Sequence, residues 1–291
     1  MRSIPKTNTL RLTDADTPLW FRRGGGGAAV YLGCSSQSYE DEIAGGRLSL
    51  PEWFRLCAEE LGLNAVELED RHIGDPTPAR LAELRDAAAR HRVEIANIAL
   101  MNNFGVAEEP RRHAEERRTV EWIGASRACG ARHLRTFAGW PEGDREARWP
   151  GMITSLRAVC GQAASGGVRL VLENHNHGGF VQTAADVEAI FRDVQSPALG
   201  LLLDTGNFLD GTASVARTAR RAWHVHAKFT NVGPDGRDAA VDHRRILGLL
   251  RDAKYAGCVS VEYEGPEPGR TAVPRIVAHL RDALRGLRSD E

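Results

Sequence analysis

An α/β chain folded as a single (β/α)8 barrel is predicted by three features of the sequence. Short apolar runs fit for buried strands alternate with helical stretches, eight of each, at intervals of about 30 residues, which implies right-handed crossovers and a parallel sheet. About 250 residues of such repeats are what closes an eight-stranded barrel. Two late strands also alternate strictly. Trp223, Val225, Ala227 and Phe229 stand on one face opposite His224, His226 and Lys228, and Val259, Val261 and Tyr263 stand opposite Ser260, Glu262 and Glu264. Successive strand residues point to opposite faces, so each strand has an apolar side for a helix ring and a polar side for a barrel interior.

The elements follow in order. Residues 1–27 mix polar and charged residues without a period and end on Gly24–Gly27, a hinge-like composition that marks an extension on which Trp20 and Phe21 could dock. The barrel then occupies 28–291. Ala28 to Gly33 reads as the first strand, and Ser49 with Pro51 as the start of its helix. Asn64 to Glu69 is the second strand, with a helix from Pro78 to His91 entered through Thr77. Val93 to Leu100 is the third, followed by a helix from Pro110 to Cys129 that Gly130 stops. Arg132 to Ala138 is the fourth, with a helix within 144–164 that Pro150-Gly151 is expected to interrupt. The fifth strand, Val168-Arg-Leu-Val-Leu-Glu173, precedes a helix from Ala184 to Val194 capped by Thr183. Leu201 to Asp204 is the sixth, with a short helix after it, and Trp223 to Phe229 the seventh, before a helix from Asp242 to Ala253. Cys258 to Glu264 is the eighth, and the helix from Thr271 to Leu287 carries Pro274 in its expected first turn, where a missing N–H costs little.

Composition excludes several classes. With 291 residues and 42% hydrophobic residues, the chain can bury a large single core. The net charge of -1 gives no electrostatic case for nucleic acid or an anionic membrane, and no run approaches the roughly 18 to 20 apolar residues of a membrane span. Cysteines 34, 57, 129, 160 and 258 are odd in number and scattered, which points to a reduced, cytoplasmic setting. Leu32-Gly33-Cys34 lacks a preceding apolar segment and reads as a strand end, not a lipoprotein cleavage site.

Chemistry gathers at the strand ends. Glu173, Asp204, His226 and Glu262 close four consecutive strands, the fifth to the eighth, at the rim where barrel active sites are built. Bringing carboxylates within about 4 Å costs on the order of 4 kcal/mol per pair at an effective dielectric near 20, and a divalent cation removes that penalty. Three oxygens and one imidazole suit Mn2+ first, then Mg2+ or Co2+, with Zn2+ a further alternative. Inward parity makes His224, Lys228 and Glu264 neighbours of that centre.

Leu-Glu-Asn-His175, Leu-Asp-Thr-Gly-Asn207, His-Val-His-Ala-Lys228 and Ser-Val-Glu-Tyr-Glu-Gly265, in this order, resemble the xylose-isomerase-like TIM-barrel superfamily of sugar-phosphate isomerases and epimerases, which is related to the endonuclease IV-type nucleases (AP endonuclease family 2). The resemblance spans about residues 28–287, with Asn64 to Glu69 and Asn102-Asn-Phe104 fitting earlier strand ends more loosely. It implies a metal held by Glu173, Asp204, His226 and Glu262. It further implies that Glu173 and Glu262 are the catalytic pair, one removing the proton beside a metal-polarised carbonyl to form an enediolate and the other returning it. The chain departs from the pattern in two places: Phe229 stands where the family often has Asp, and Asn207 where some members have His. No second carboxylate set for a two-metal hydride shift is evident.

Substrate contacts are expected from His175, Asn207, Lys228, Arg135, His224 and Glu264. Each has a structural alternative. Arg135 can bind a hydroxyl or phosphate or pair with an acid, Lys228 can contact substrate or bridge to Glu264, and His224 can be a satisfied interior histidine. Asn174 is a further loop candidate, while Glu67, Glu69, Asp70 and His72 read as structural or rim residues. The reading is a metal-dependent isomerase or epimerase of a sugar, keto-sugar or cyclitol, taking a small carbohydrate and able to form homo-oligomers. Its rivals are a lyase or dehydratase on a keto-cyclitol or keto-glycoside, a metal-free binding barrel, and a nuclease, for which neither extra His and Asp ligands nor a basic groove is apparent.

Overall fold

In the computed structural model, which describes residues 30–289, eight parallel strands close into a barrel in sequence order, β8 returning to pair with β1. They are β1 (Tyr31–Ser35), β2 (Ala65–Glu69), β3 (Glu94–Ala99), β4 (His133–Thr136), β5 (Arg169–Glu173), β6 (Leu199–Asp204), β7 (Ala222–Phe229) and β8 (Cys258–Tyr263). The ring helices are α1 (Leu50–Arg55), α2 (Pro78–His91), α3 (Glu109–Cys129), α4 (Arg145–Gly166), α5 (Ala184–Val194), α6 (Thr212–Thr218), α7 (His243–Asp252) and α8 (Gly269–Ser289). The expected (β/α)8 architecture is therefore observed. The extension 1–27, with Trp20 and Phe21, lies outside the described residues.

Local chemistry sets the helix starts. Ser49 and Glu52 form a reciprocal capping box ahead of Pro51, Thr77 caps α2, and Thr183 pairs with Asp186 at α5. Two expectations about proline fail. Helix α4 runs unbroken through Pro150, and Pro274 lies inside α8 beyond the first turn, because that helix begins at Gly269. Each proline is flanked by buried apolar residues, Met152 and Ile153 in one case and Val273 and Ile276 in the other. That packing holds the helices together where one backbone hydrogen bond is missing. The first strand is also displaced, ending at Ser35 instead of Gly33.

The outward residues Val225, Ala227, Phe229, Val259, Val261 and Tyr263 join the helix ring in one continuous apolar core. A separate small cluster of Ala65, Ala96 and Cys258, with Tyr31 packed on it, closes the N-terminal end of the barrel. Gly33 belongs there, since a Cβ on it would stand 2.6 Å from Cys258 Sγ. All five cysteines are unpaired and buried. Among the described residues no helix is long and apolar enough to cross a membrane.

At the opposite end, polar side chains just past one strand satisfy the backbone of another. Ser36 Oγ accepts from Glu69 N at 2.9 Å, and Ser38 Oγ accepts from Tyr263 N at 3.0 Å. The Asn102 amide accepts from Phe137 N at 2.8 Å and donates to Phe137 O at 3.0 Å. Asn174 does the same to Asp204 N and O, at 2.8 and 3.0 Å, and Thr205 Oγ1 accepts from Lys228 N at 2.9 Å. Parallel strands that end inside a fold leave backbone groups without ladder partners, and these clasps supply them while fixing the strand ends that carry the chemistry.

Candidate active site

Register brings the four strand-end residues together. Asp204 pairs with His226 across β6 and β7, and Lys228 pairs with Glu262 across β7 and β8. One ligand atom from each of Glu173, Asp204, His226 and Glu262 lies within 4.8 Å of the other three, and all four residues are buried. His226 Nδ1 stands at the centre, 3.3 Å from Glu262 Oε2, 3.7 Å from Glu173 Oε1 and 3.8 Å from Asp204 Oδ2. Asp204 is aimed by its own turn: its Oδ1 accepts from Gly206 N at 2.7 Å, which leaves Oδ2 facing the centre. Gly206 has no room for a side chain, because a Cβ would meet Lys228 Cγ at 2.8 Å.

Other polar residues frame this cluster. Lys228 Nζ lies 2.7 Å from Glu262 and 2.9 Å from Glu264, so Lys228 and Glu264 form a bridge at the rim. Arg135 Nη1 lies 3.1 Å from Glu173 and Nη2 3.2 Å from Glu69, while its guanidinium stacks 4.7 Å from the Phe137 ring centroid. Arg71 reaches Glu69 from the rim at 2.7 Å. Of the two roles open to Arg135, pairing with acids is the one this geometry displays. His224 sits two residues deeper on β7, fully buried, with Nε2 2.6 Å from Glu67. It lies beneath the cluster and not among groups at the mouth, because two residues along a strand carry it about 7 Å inward.

His175 stands at the rim in an aromatic group, 5.6 Å from Phe137 and 5.3 Å from Trp140, ring centroid to centroid. Asn207 is buried on the turn after β6. Asn174 has both ends of its amide engaged by the Asp204 backbone and is not free to meet a substrate. Phe229 faces outward and stacks on His243 at 3.9 Å with an 8° interplanar angle, so no side chain enters the site at that position.

Glu67 and Glu69 are the residues whose placement the sequence reading missed. Both are buried inside the barrel, Glu67 on His224 and His226 and Glu69 on Arg135. The signal was present: Ala65, Glu67 and Glu69 share one strand face opposite Val66 and Leu68, the same alternation that marked β7 and β8.

The donor set fits a hard or borderline divalent cation. Asp204 Oδ2 and His226 Nδ1 are buried and make no hydrogen bond within the protein, a costly arrangement unless something else serves them. Charge leads to the same conclusion. Among the described residues, Glu67, Glu69, Glu173, Asp204 and Glu262 are buried around two permanent cations, Arg135 and Lys228, and the imidazole of His226. Burial pushes the Asp204 carboxyl up to about 7, with the charges of Glu262 and Glu173 adding to the rise against the pull of Lys228 and His226. Burial also raises Glu69 to about 7 despite Arg135 and Arg71. Burial works against protonation of His226, yet the charges of Glu262 and Glu67 outweigh it and hold the imidazole well above its usual range. The centre therefore lacks positive charge, and a dication would supply it.

The fold has known counterparts. The structure superposes on an L-ribulose 3-epimerase with a TM-score of 0.74 at 18% identity, covering 90% of this chain and 96% of that one. A 3-keto-D-glucoside 4-epimerase from E. coli gives 0.68 at 18% identity, over 89% and 99% of the two chains. A probable 3-DHS dehydratase from Bacillus anthracis gives 0.69 at 16% identity, over 86% and 98%. At such identities the likeness establishes the fold. No curated protein matches the chain by sequence. Residues 55–284, however, match the family model described as xylose isomerase-like TIM barrel. Since that match takes in β2 to β8 and every strand end of the acidic cluster, the chain belongs to the xylose isomerase-like TIM-barrel family.

Proposed function

We propose that the protein is an isomerase or epimerase of a sugar, keto-sugar or cyclitol, and that it moves the proton on the carbon next to a carbonyl. The observation that carries this reading is the pair Glu173 and Glu262. They come from β5 and β8 and flank the Asp204–His226 pair, so two carboxylates address one point from different strands. A divalent cation held by Glu173, Asp204, His226 and Glu262, Mn2+ first with Mg2+, Co2+ or Zn2+ as alternatives, supplies polarisation of the carbonyl. The residues supply the rest. One glutamate accepts the proton and the other gives one back, and the reverse reaction exchanges their roles. Arg135 holds Glu173 in place through a charge that never leaves. Lys228 holds Glu262 and offers substrate oxygens an ammonium group. The aromatic group of Phe137, Trp140 and His175 presents an apolar wall to one side of a sugar ring. Fold likeness to two sugar epimerases supports the substrate class.

A dehydratase or lyase shares the first step, and fold likeness to the probable dehydratase supports keeping it. Lys228, beside Glu262, is placed to protonate a departing hydroxyl. Keto-sugars and keto-cyclitols incubated in heavy water with Mn2+ separate the readings by NMR. Deuterium at the carbon beside the carbonyl in an epimerised product supports the epimerase, and loss of water gives the lyase. Elemental analysis of the wild type and Asp204→Asn completes the test. One ion per chain, lost in the variant, is expected, whereas no ion and no exchange leave a metal-free binding barrel.

A further inference from the structure

Glu67 is fully buried on the inner face of β2 and is absent from the acidic cluster, yet both of its oxygens are engaged. Oε1 lies 2.6 Å from His226 Nε2 and Oε2 lies 2.6 Å from His224 Nε2. A carboxylate only accepts, so both Nε2 atoms carry the hydrogen. On a neutral His226 this leaves the lone pair on Nδ1, the atom that faces Glu173, Asp204 and Glu262 and makes no hydrogen bond. A single carboxylate thus selects which nitrogen of His226 is available to a cation.

His224 completes the device. By occupying the second oxygen it stops the carboxylate from turning, so Glu67 is held at both ends and in turn holds the His226 ring. Glu67, His224 and His226 could be taken for an ion site of their own, since one ligand atom of each lies within 4.8 Å of the others. The distances speak against it: two atoms each about 2.1 Å from one ion stand about 3 Å apart, whereas 2.6 Å is the length of a charge-assisted hydrogen bond. An ion there would also have to displace both Nε2 hydrogens and compete for His226.

We propose that Glu67, braced by His224, is a positioning residue that fixes the tautomer and orientation of His226 so that Nδ1 is presented to a divalent cation. Glu67 touches neither cation nor substrate. The inference rests on the divalent-cation reading above and adds the residue on which the affinity of that site depends.

Calorimetric titration of the full-length, chelator-treated protein with MnCl2 tests it. Glu67→Gln keeps the shape but has one accepting oxygen for two donors, and its amide nitrogen drives one imidazole hydrogen towards Nδ1. A 10- to 100-fold weaker Mn2+ affinity is expected, the scale of losing a carboxylate behind a metal-bound histidine. His224→Gln, whose amide can still donate to Glu67, should bind Mn2+ nearly as the wild type does, and His224→Leu should bind several-fold more weakly. Wild-type affinity in a folded Glu67→Gln protein overturns the proposal. If that variant does not fold, equal affinity in His224→Gln and His224→Leu overturns it. A wild type that takes up no Mn2+ overturns the cation reading itself, a result distinct from uptake that Glu67 does not influence.

Discussion

The two halves of the barrel mouth differ in what their strand ends do. Strands β5 to β8 end on Glu173, Asp204, His226 and Glu262, whose atoms converge on one point. The inward residues of β2 and β4, Glu67, Glu69 and Arg135, instead hold the first group: Glu67 on His226, and Glu69 on Arg135, which in turn grips Glu173. Both halves use charged residues at buried positions, but Asp204 Oδ2 and His226 Nδ1 stand at the centre without hydrogen-bond partners, whereas Glu67 has both of its oxygens engaged. A site that binds and reacts needs unsatisfied groups, and here Glu67 and Arg135 on the opposite wall hold those groups in place.

The widest separation of the halves is expected in turnover. Glu173→Gln and Glu262→Gln should each lower deuterium exchange into a keto-sugar substrate by about 10²- to 10⁴-fold while the barrel remains folded by circular dichroism. Retained exchange in either variant would remove that glutamate from the reacting pair. Arg135→Leu is expected to act on stability instead. It leaves Glu69 and Glu173 buried without their shared guanidinium, a loss of about 3 to 5 kcal/mol that urea unfolding would measure. A loss below about 1 kcal/mol would show that β4 does not brace β5.

Cation binding should track the β5–β8 half. Mn2+ at 100 times its dissociation constant should stabilise the wild type by about 2.7 kcal/mol. In thermal unfolding with and without chelator, Asp204→Asn should show no such gain and Arg135→Lys should keep part of it. A smaller effect belongs to neither half. Burial lowers His243, stacked on Phe229 outside the barrel, from 6.5 to about 4, against the charge of Asp238. In the unfolded chain this imidazole takes up its proton near 6.5, so the contribution is fully present above that pH and is lost as pH falls towards 4. Between pH 7 and pH 5 the loss is about 2 kcal/mol. Stability curves of the wild type and His243→Asn should therefore converge over that window, and parallel curves would refute the assignment.

The β5–β8 half was readable in the sequence because β5 and β6 end apolar runs on Glu173 and Asp204, β7 and β8 alternate apolar with polar residues through His226 and Glu262, and the four motifs follow in order. Lys228 and Glu264 followed from inward parity, and their mutual bridge was one of the two roles foreseen for Lys228. Glu67 and Glu69 carried the same parity signal, but two acids on a strand look alike whether they meet solvent, a cation or a pair of histidines. Which of these Glu67 meets depends on residues 157 and 159 positions away, and for Glu69 on Arg135, 66 positions away. Asn174 was misread for the same reason, since its partner is the backbone of a neighbouring strand.

The amino-acid sequence by itself determined the eightfold βα repeat, the inward and outward faces of the strands, the starts of three helices through Ser49, Thr77 and Thr183, and the identity of the four converging groups. These are local properties: strand parity, apolar periodicity and capping act over a few residues. Only the tertiary structure decided that Pro150 and Pro274 stay within helices and that Arg135 bridges two acids. It also decided that Glu67 sits behind His226. In each of these cases the outcome turns on packing and charge balance between segments far apart in the chain, and barrel closure brings those segments together.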